Sequence, residues 1–353
     1  MRRTAMLVSA LSLAALGATV GPAQAGPEPA DSETRATAFS DQEQDTALEF
    51  WTDARLNAAK AMAAPAAAPE APAVTSSVTS SAMSSAMSSV IDDGGPRLSV
   101  PSVVFPDAET TASAADETPL STLASKPKAW KRGGLISRTA GKVFFENAAG
   151  GLFACSATVA NSKNKSVVLT AGHCVVDART GEVFRKWIFI PGYHKGKRPH
   201  GTFTAKKLFH LKSYVSSQGN ANWDVAFATL RKRDGRPLAK VVGGAQGIKF
   251  NAPNGRYVHS FGYGGSRAEG NGERLNHCQG EEHRDLGRPG STMWGIDCVQ
   301  TGGSSGGAFL AEFKADKGVG VLVGNIAVGT DVSEYHPRLG DRARKLYKAA
   351  STA

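Results

Sequence analysis

Cysteine is scarce in this 353-residue chain: there are four, and none precedes Cys155. No Cys-x-x-Cys pair and no cysteine–histidine cluster at ligand spacing occurs, which argues against a structural zinc site. His194, His200, His210, His259, His277, His283 and His336 are scattered through the chain, so no metal is expected. Aromatic residues make up only 7% of the sequence. They are few between residues 26 and 132, a segment also without cysteine, which leaves it little material for a core. Beyond the first 25 residues no apolar run is long enough to cross a membrane. Gly262-Tyr263-Gly264-Gly265 lacks the following Gly-Lys-Ser/Thr of a phosphate loop, so no nucleotide and no other cofactor is expected. There is no internal repeat.

What the chain does contain falls into three parts. Met1–Ala25 has Arg2 and Arg3, an apolar run from Ala5 to Val20, and Ala23-Gln24-Ala25, the pattern of a cleaved secretory signal. This predicts a secreted, extracellular protein with no membrane attachment after cleavage. Residues 26–132 are Ala/Pro- and Ser-rich in places and carry more acidic than basic residues; residues 133–353 are strongly basic. By composition alone the first segment suits an acidic linker or stalk as well as a pro-region lying over the second as an intramolecular cover, drawn by opposite charge; the stretch before Gly134 favours the cover. A stretch from Asp41 to Ala63, with Leu48, Phe50, Trp51 and Leu56, has the pattern of a docking helix. Lys126-Pro127-Lys128-Ala129-Trp130-Lys131-Arg132-Gly133-Gly134 is a basic, glycine-ended stretch where processing is expected.

Residues 133–353 suffice for one large domain or two small packed ones. Lys142–Glu146, Gly151–Ala160, Ser166–Ala171, Val183–Ile190, Val225–Leu230, Arg256–Phe261 and Gly318–Val328 read as short strands between Gly, Asn and Pro clusters, hence barrels or sandwiches. From Asp341, Ala343, Leu346, Tyr347 and Ala350 form one apolar stripe, predicting a terminal helix to about residue 350. Its Arg342, Arg344, Lys345 and Lys348 read as a solvated face, and without aromatic or motif context no nucleic-acid partner is expected. An even number of cysteines behind a secretory signal implies two disulfides, with three pairings possible. The local pairing Cys155–Cys174 and Cys278–Cys298 is favoured, each closing a loop of about twenty residues.

Three stretches carry chemistry. In Thr301-Gly302-Gly303-Ser304-Ser305-Gly306-Gly307-Ala308 a serine sits in a glycine-rich turn, where a hydroxyl nucleophile can stand beside free backbone N–H groups. Alone this would also suit a flexible loop. Val167-Val168-Leu169-Thr170-Ala171-Gly172-His173-Cys174-Val175 is an apolar strand ending in a small-residue turn that presents a histidine. It resembles the histidine motif of chymotrypsin-like (trypsin-fold) serine peptidases, in particular the secreted bacterial branch. Cys155-Ser156-Ala157-Thr158 resembles the preceding strand with the disulfide partner. Asn222-Trp223-Asp224-Val225-Ala226-Phe227 resembles the family's aspartate motif, whose context the competing Asp177 lacks. The order His173, Asp224, Ser305 is that of this family.

The resemblance covers roughly residues 135–350. It implies an all-β fold of two packed six-stranded antiparallel barrels, about 135–240 and 241–340, with a C-terminal helix. It implies a serine endopeptidase acting on protein or peptide substrates, in which Ser305 attacks, His173 moves the proton, Asp224 holds the imidazole, and the N–H groups of Gly303 and Ser305 bind the oxyanion. A monomer is expected. Ser304 stands where the family motif commonly has aspartate, so activation by an ion pair to a new amino terminus is not expected; the Ser304 hydroxyl and the Cys278–Cys298 bridge are left to hold the loop. Ala327, Val328 and Gly329 would line the primary pocket, and Val299 would lie at its base, favouring a medium apolar side chain. A catalytically silent peptidase-fold protein that binds anionic surfaces and an esterase with the same triad are the competing readings.

Overall fold

The computed structural model describes residues 33–63, 95–106 and 126–353. The predicted signal sequence and the Ala/Pro- and Ser-rich tracts lie outside the described residues, apart from Ala63 at their margin. Six strands form a closed antiparallel ring: Ala140–Glu146, Leu152–Ala160, Val167–Thr170, Arg185–Pro191, Phe203–Leu211 and Ala226–Leu230. Their spatial order closes because Phe203–Leu211 pairs on one side with Ala226–Leu230 and on the other with Arg185–Pro191. Val143, Phe144, Val159, Val168, Ile188 and Phe227 are fully buried in this half. Phe203–Leu211 escaped the strand reading because Lys206 and Lys207 interrupt its apolar residues; Lys206 is exposed and Lys207 half-buried, while the residues on either side of them are buried.

The second half is built on a seven-stranded sheet containing Gly247–Phe250, Tyr257–Gly262, Asn276–Glu281, Ala308–Lys314 and Val319–Asn325, beside a four-stranded sheet. Gly247–Phe250 runs parallel to Val319–Asn325; the other pairings are antiparallel. Among the described residues no pairing closes these strands into a second ring. The two predicted disulfides, Cys155–Cys174 and Cys278–Cys298, are formed, one in each half. The terminal helix spans Asp341–Thr352 and buries Ala343, Leu346, Tyr347 and Ala350, with the Tyr347 ring against Phe227 and Phe250.

The chain before residue 133, here called the leader, is built into this body where it is described. Thr34–Ala38 adds an antiparallel strand to Phe203–Leu211. Ser40 caps the helix Asp41–Phe50, its hydroxyl accepting from the Glu43 N–H while the Glu43 carboxylate accepts from the Ser40 N–H, a reciprocal cap that starts the helix. The predicted single helix is two: it stops at Trp51, and Thr52 caps a second from Asp53 to Ala58. Trp51 is buried beside Phe144, and its indole N–H donates to the Lys186 carbonyl at 2.6 Å. Leu48, by contrast, faces solvent. Leu98–Val100 and Val103–Val104 each pair with a strand of the second half, and Lys128–Ala129 pairs with Asn276 and His277. Trp130 packs on Phe261 and Phe313, so the basic stretch before Gly133 is tied down rather than an open loop, although Lys126, Lys128 and Lys131 are exposed.

Candidate active site

Three chain segments meet where the two halves join. The strand Val167–Thr170 ends at Ala171, and a tight turn over Gly172–Cys174 aims His173 inward. Asp224 follows a second short turn, Ala221–Trp223, just before the strand Ala226–Leu230 that pairs with Val167–Thr170. Pairing of these two strands therefore brings the histidine and the aspartate to the same end of the ring. The Asp224 carboxylate holds His173 twice: Oδ2 lies 2.6 Å from imidazole Nδ1, and Oδ1 accepts the His173 backbone N–H at 2.8 Å. Both residues are buried. Asp224 is steadied in turn by Asn325, whose side-chain amide donates to its carbonyl at 3.0 Å. The imidazole Nε2 is buried and has no hydrogen-bond partner among the described residues.

The serine loop is pressed against the histidine turn. The Ser305 carbonyl accepts from the Ser156 N–H at 2.7 Å and lies 3.7 Å from the Cys174 sulfur, next in sequence to His173. Gly306 has φ +82°, and a side chain there would run into the Ser156 carbonyl and the Thr170 hydroxyl; only glycine allows this approach. Gly303, at φ +94°, also takes a conformation suited to glycine. Ser305 itself is buried. The Gly303 N–H, one of the two expected oxyanion donors, is bonded at 2.8 Å to the carbonyl of Met62 in the leader.

The expected pocket residues also come together. Val328–Gly329 pairs with Glu334–His336, the Ala327 N–H donates to the Tyr335 carbonyl, and a methyl on Gly329 would touch Val299. The sequence reading missed Glu334, which is fully buried and accepts from the Gln300 N–H at 2.9 Å and from the Ser260 hydroxyl. Burial pushes its carboxyl up to about 7. Glu269, likewise buried, was also missed, because an isolated glutamate in a polar stretch reads as solvated. The Cys155, His173 and Cys174 donor atoms cluster within 4.8 Å of one another, but both sulfurs belong to the disulfide and offer no thiolate to a metal.

No family model and no curated protein matches the chain. Solved structures do. The thermostable serine protease AL20 from an extremophilic microorganism is 35% identical, with a TM-score of 0.57, over 62% of this chain and 99% of that one. The protease Anisep from Arthrobacter nicotinovorans is 34% identical, with a TM-score of 0.56, over 61% of this chain and 96% of that one. A Glu endopeptidase, 15% identical with a TM-score of 0.52 over 66% of this chain and 100% of that one, shares the fold.

Proposed function

Because the chain belongs to the chymotrypsin-like serine peptidase superfamily, we propose that it is a serine endopeptidase using Ser305, His173 and Asp224, made as a secreted precursor. The observation that carries this reading is the doubly held His173. Its Nδ1 is committed to Asp224, and its Nε2 is free of any other bond. Such an imidazole accepts a proton at Nε2 alone. In the proposed cycle the Ser305 hydroxyl attacks the scissile carbonyl as its proton passes to Nε2. The carbonyl oxygen becomes an oxyanion, stabilised by the N–H groups of Gly303 and Ser305. The imidazolium, stabilised by the Asp224 carboxylate, returns the proton to the leaving amine; water then repeats the steps on the acyl-enzyme. Val299, Ala327, Val328 and Gly329 are proposed to wall the primary pocket.

The precursor reading is supported by the leader's place in the fold. Lys60–Ala61 lies along Phe153–Ala154, the Met62 N–H donates to the Ala154 carbonyl, and the Met62 carbonyl takes the Gly303 N–H. A donor needed for the oxyanion is thus occupied by the chain's own backbone. Acidic leader residues face basic partners in the body: Asp45 with Arg231, Asp53 with Arg198, and Glu33 with Arg342. Exposed pairs of this kind contribute little each; the buried Ala47, Trp51 and Leu56 supply apolar contact.

Intact-mass analysis before and after a fluorophosphonate tests the site. One adduct on Ser305 of the processed chain, lost in His173→Ala, is expected. A processed chain that takes no adduct overturns the enzyme reading and favours a silent binding protein. Turnover of small esters without peptide cleavage would instead point to an esterase.

A further inference from the structure

Ser304 leaves the nucleophile loop without the aspartate common in the family motif, yet two buried carboxylates grip the chain just upstream. Glu334 accepts the Gln300 N–H. Glu269 accepts the N–H of Thr301 at 3.1 and 3.2 Å from its two oxygens, and also the Thr301 hydroxyl. Thr301 passes this restraint directly to the loop, because its carbonyl accepts both the Ser304 N–H, at 3.1 Å, and the Ser304 hydroxyl, at 2.8 Å.

The glycine stretch that failed as a phosphate loop completes the support. The Gly265 N–H donates to the Gly302 carbonyl at 2.8 Å. A methyl on Gly262 would press on Ser304, and one on Gly264 would overlap the Glu269 carboxylate. The Tyr263 N–H donates to the Ser156 hydroxyl, which donates to the Gly303 carbonyl at 2.8 Å. Residues 302–304 therefore lie on a glycine cradle, with Glu269 closing it from the side. A buried carboxylate is costly unless its oxygens are bonded. The described residues give Glu269 no ion pair; its bonds are to Thr301 and the Ser266 hydroxyl.

We propose that Glu269 is the positioning residue of the nucleophile loop: its carboxylate, held over Gly264, fixes Thr301 and through it Ser304, so that the N–H groups of Gly303 and Ser305 meet the oxyanion. This rests on the peptidase reading above. Glu269 touches no reacting atom, so its loss acts on oxyanion stabilisation and leaves ground-state binding intact.

The test uses the processed enzyme and compares Glu269→Gln with wild type. Three quantities are measured: kcat and KM on a peptide substrate, affinity for a peptidyl trifluoromethyl ketone, and affinity for the corresponding product peptide. Expected are a drop in kcat of about 10–100-fold, KM within about twofold, a parallel loss of ketone affinity and unchanged product binding. Gly264→Ala gives a second route: its methyl would overlap the Glu269 carboxylate, which must shift, and the double variant should be no worse than the worse single one. If Glu269→Gln does not fold, Gly264→Ala alone decides. Wild-type kcat in either variant that folds overturns the proposal, as does equal loss of ketone and product binding. A wild-type processed chain that takes no fluorophosphonate would instead sink the peptidase reading, and so identify which inference failed.

Discussion

Truncating Trp51 should unmask the site in the uncut chain. The indole is 2% exposed, packs on Phe144 with ring centroids 5.5 Å apart, and donates to the Lys186 carbonyl. Large-to-small truncation of a buried aromatic costs about 3–5 kcal/mol. At about 1.4 kcal/mol per tenfold, the equilibrium for leader release shifts by roughly 10²- to 4 × 10³-fold. Release frees the Gly303 N–H from the Met62 carbonyl. Fluorophosphonate labelling of uncut Trp51→Ala, followed by intact mass so that cut and uncut chains are read separately, should therefore be at least about tenfold faster than in the uncut wild type. Hydrogen exchange over residues 34–62 reports whether the leader has come away. Fast exchange there with labelling no faster than wild type would refute the masking argument, because the oxyanion donor would be free and without effect.

Other expectations follow from the same geometry. Asp224→Asn removes the carboxylate that fixes the His173 tautomer, and should lower kcat about 10⁴-fold near neutral pH; a loss under about tenfold in peptide hydrolysis would contradict the proposed role. Replacing Cys278 and Cys298 by serine opens a loop with a sequence separation of 20 and should remove about 3 kcal/mol of unfolding free energy in urea, a loss under about 1 kcal/mol counting against the bridge. His259 and His277 stack, with their ring nitrogens 2.9 Å apart, and burial pushes them down to about 4 and about 3. Folding therefore keeps both neutral where the unfolded chain protonates. Their stability contribution is full above pH 6.5, the ordinary histidine value, and is lost as pH falls toward 4. The slope should approach about 1.4 kcal/mol per pH unit for each histidine, and urea melts from pH 7 to 4 should show a shallower slope in His277→Leu than in wild type; equal slopes would refute the assignment.

Much of the candidate site was legible because its residues sit in local patterns. His173 follows an apolar strand and a small-residue turn, Asp224 precedes another strand, and Ser305 lies among glycines. The backbone requirement of each is written within a few residues of it. The same holds for the terminal helix, whose apolar stripe is periodic, and for the cysteine pairs, which close short loops. The leader's charge sign also spoke through composition alone.

Tertiary structure alone decided the rest, because those features depend on partners distant in the chain. Trp51 is buried by Lys186 and Phe144, and Met62 lies on Gly303; nothing near residues 51–62 announces either contact. Glu269 and Glu334 look like ordinary surface glutamates until folding removes them from water and gives their oxygens to the backbone of Gln300 and Thr301. Local sequence determines which backbone turns are possible and which side chains they present. It does not determine which N–H groups a buried carboxylate or a leader carbonyl will meet, since that requires segments more than thirty residues apart to be packed together first.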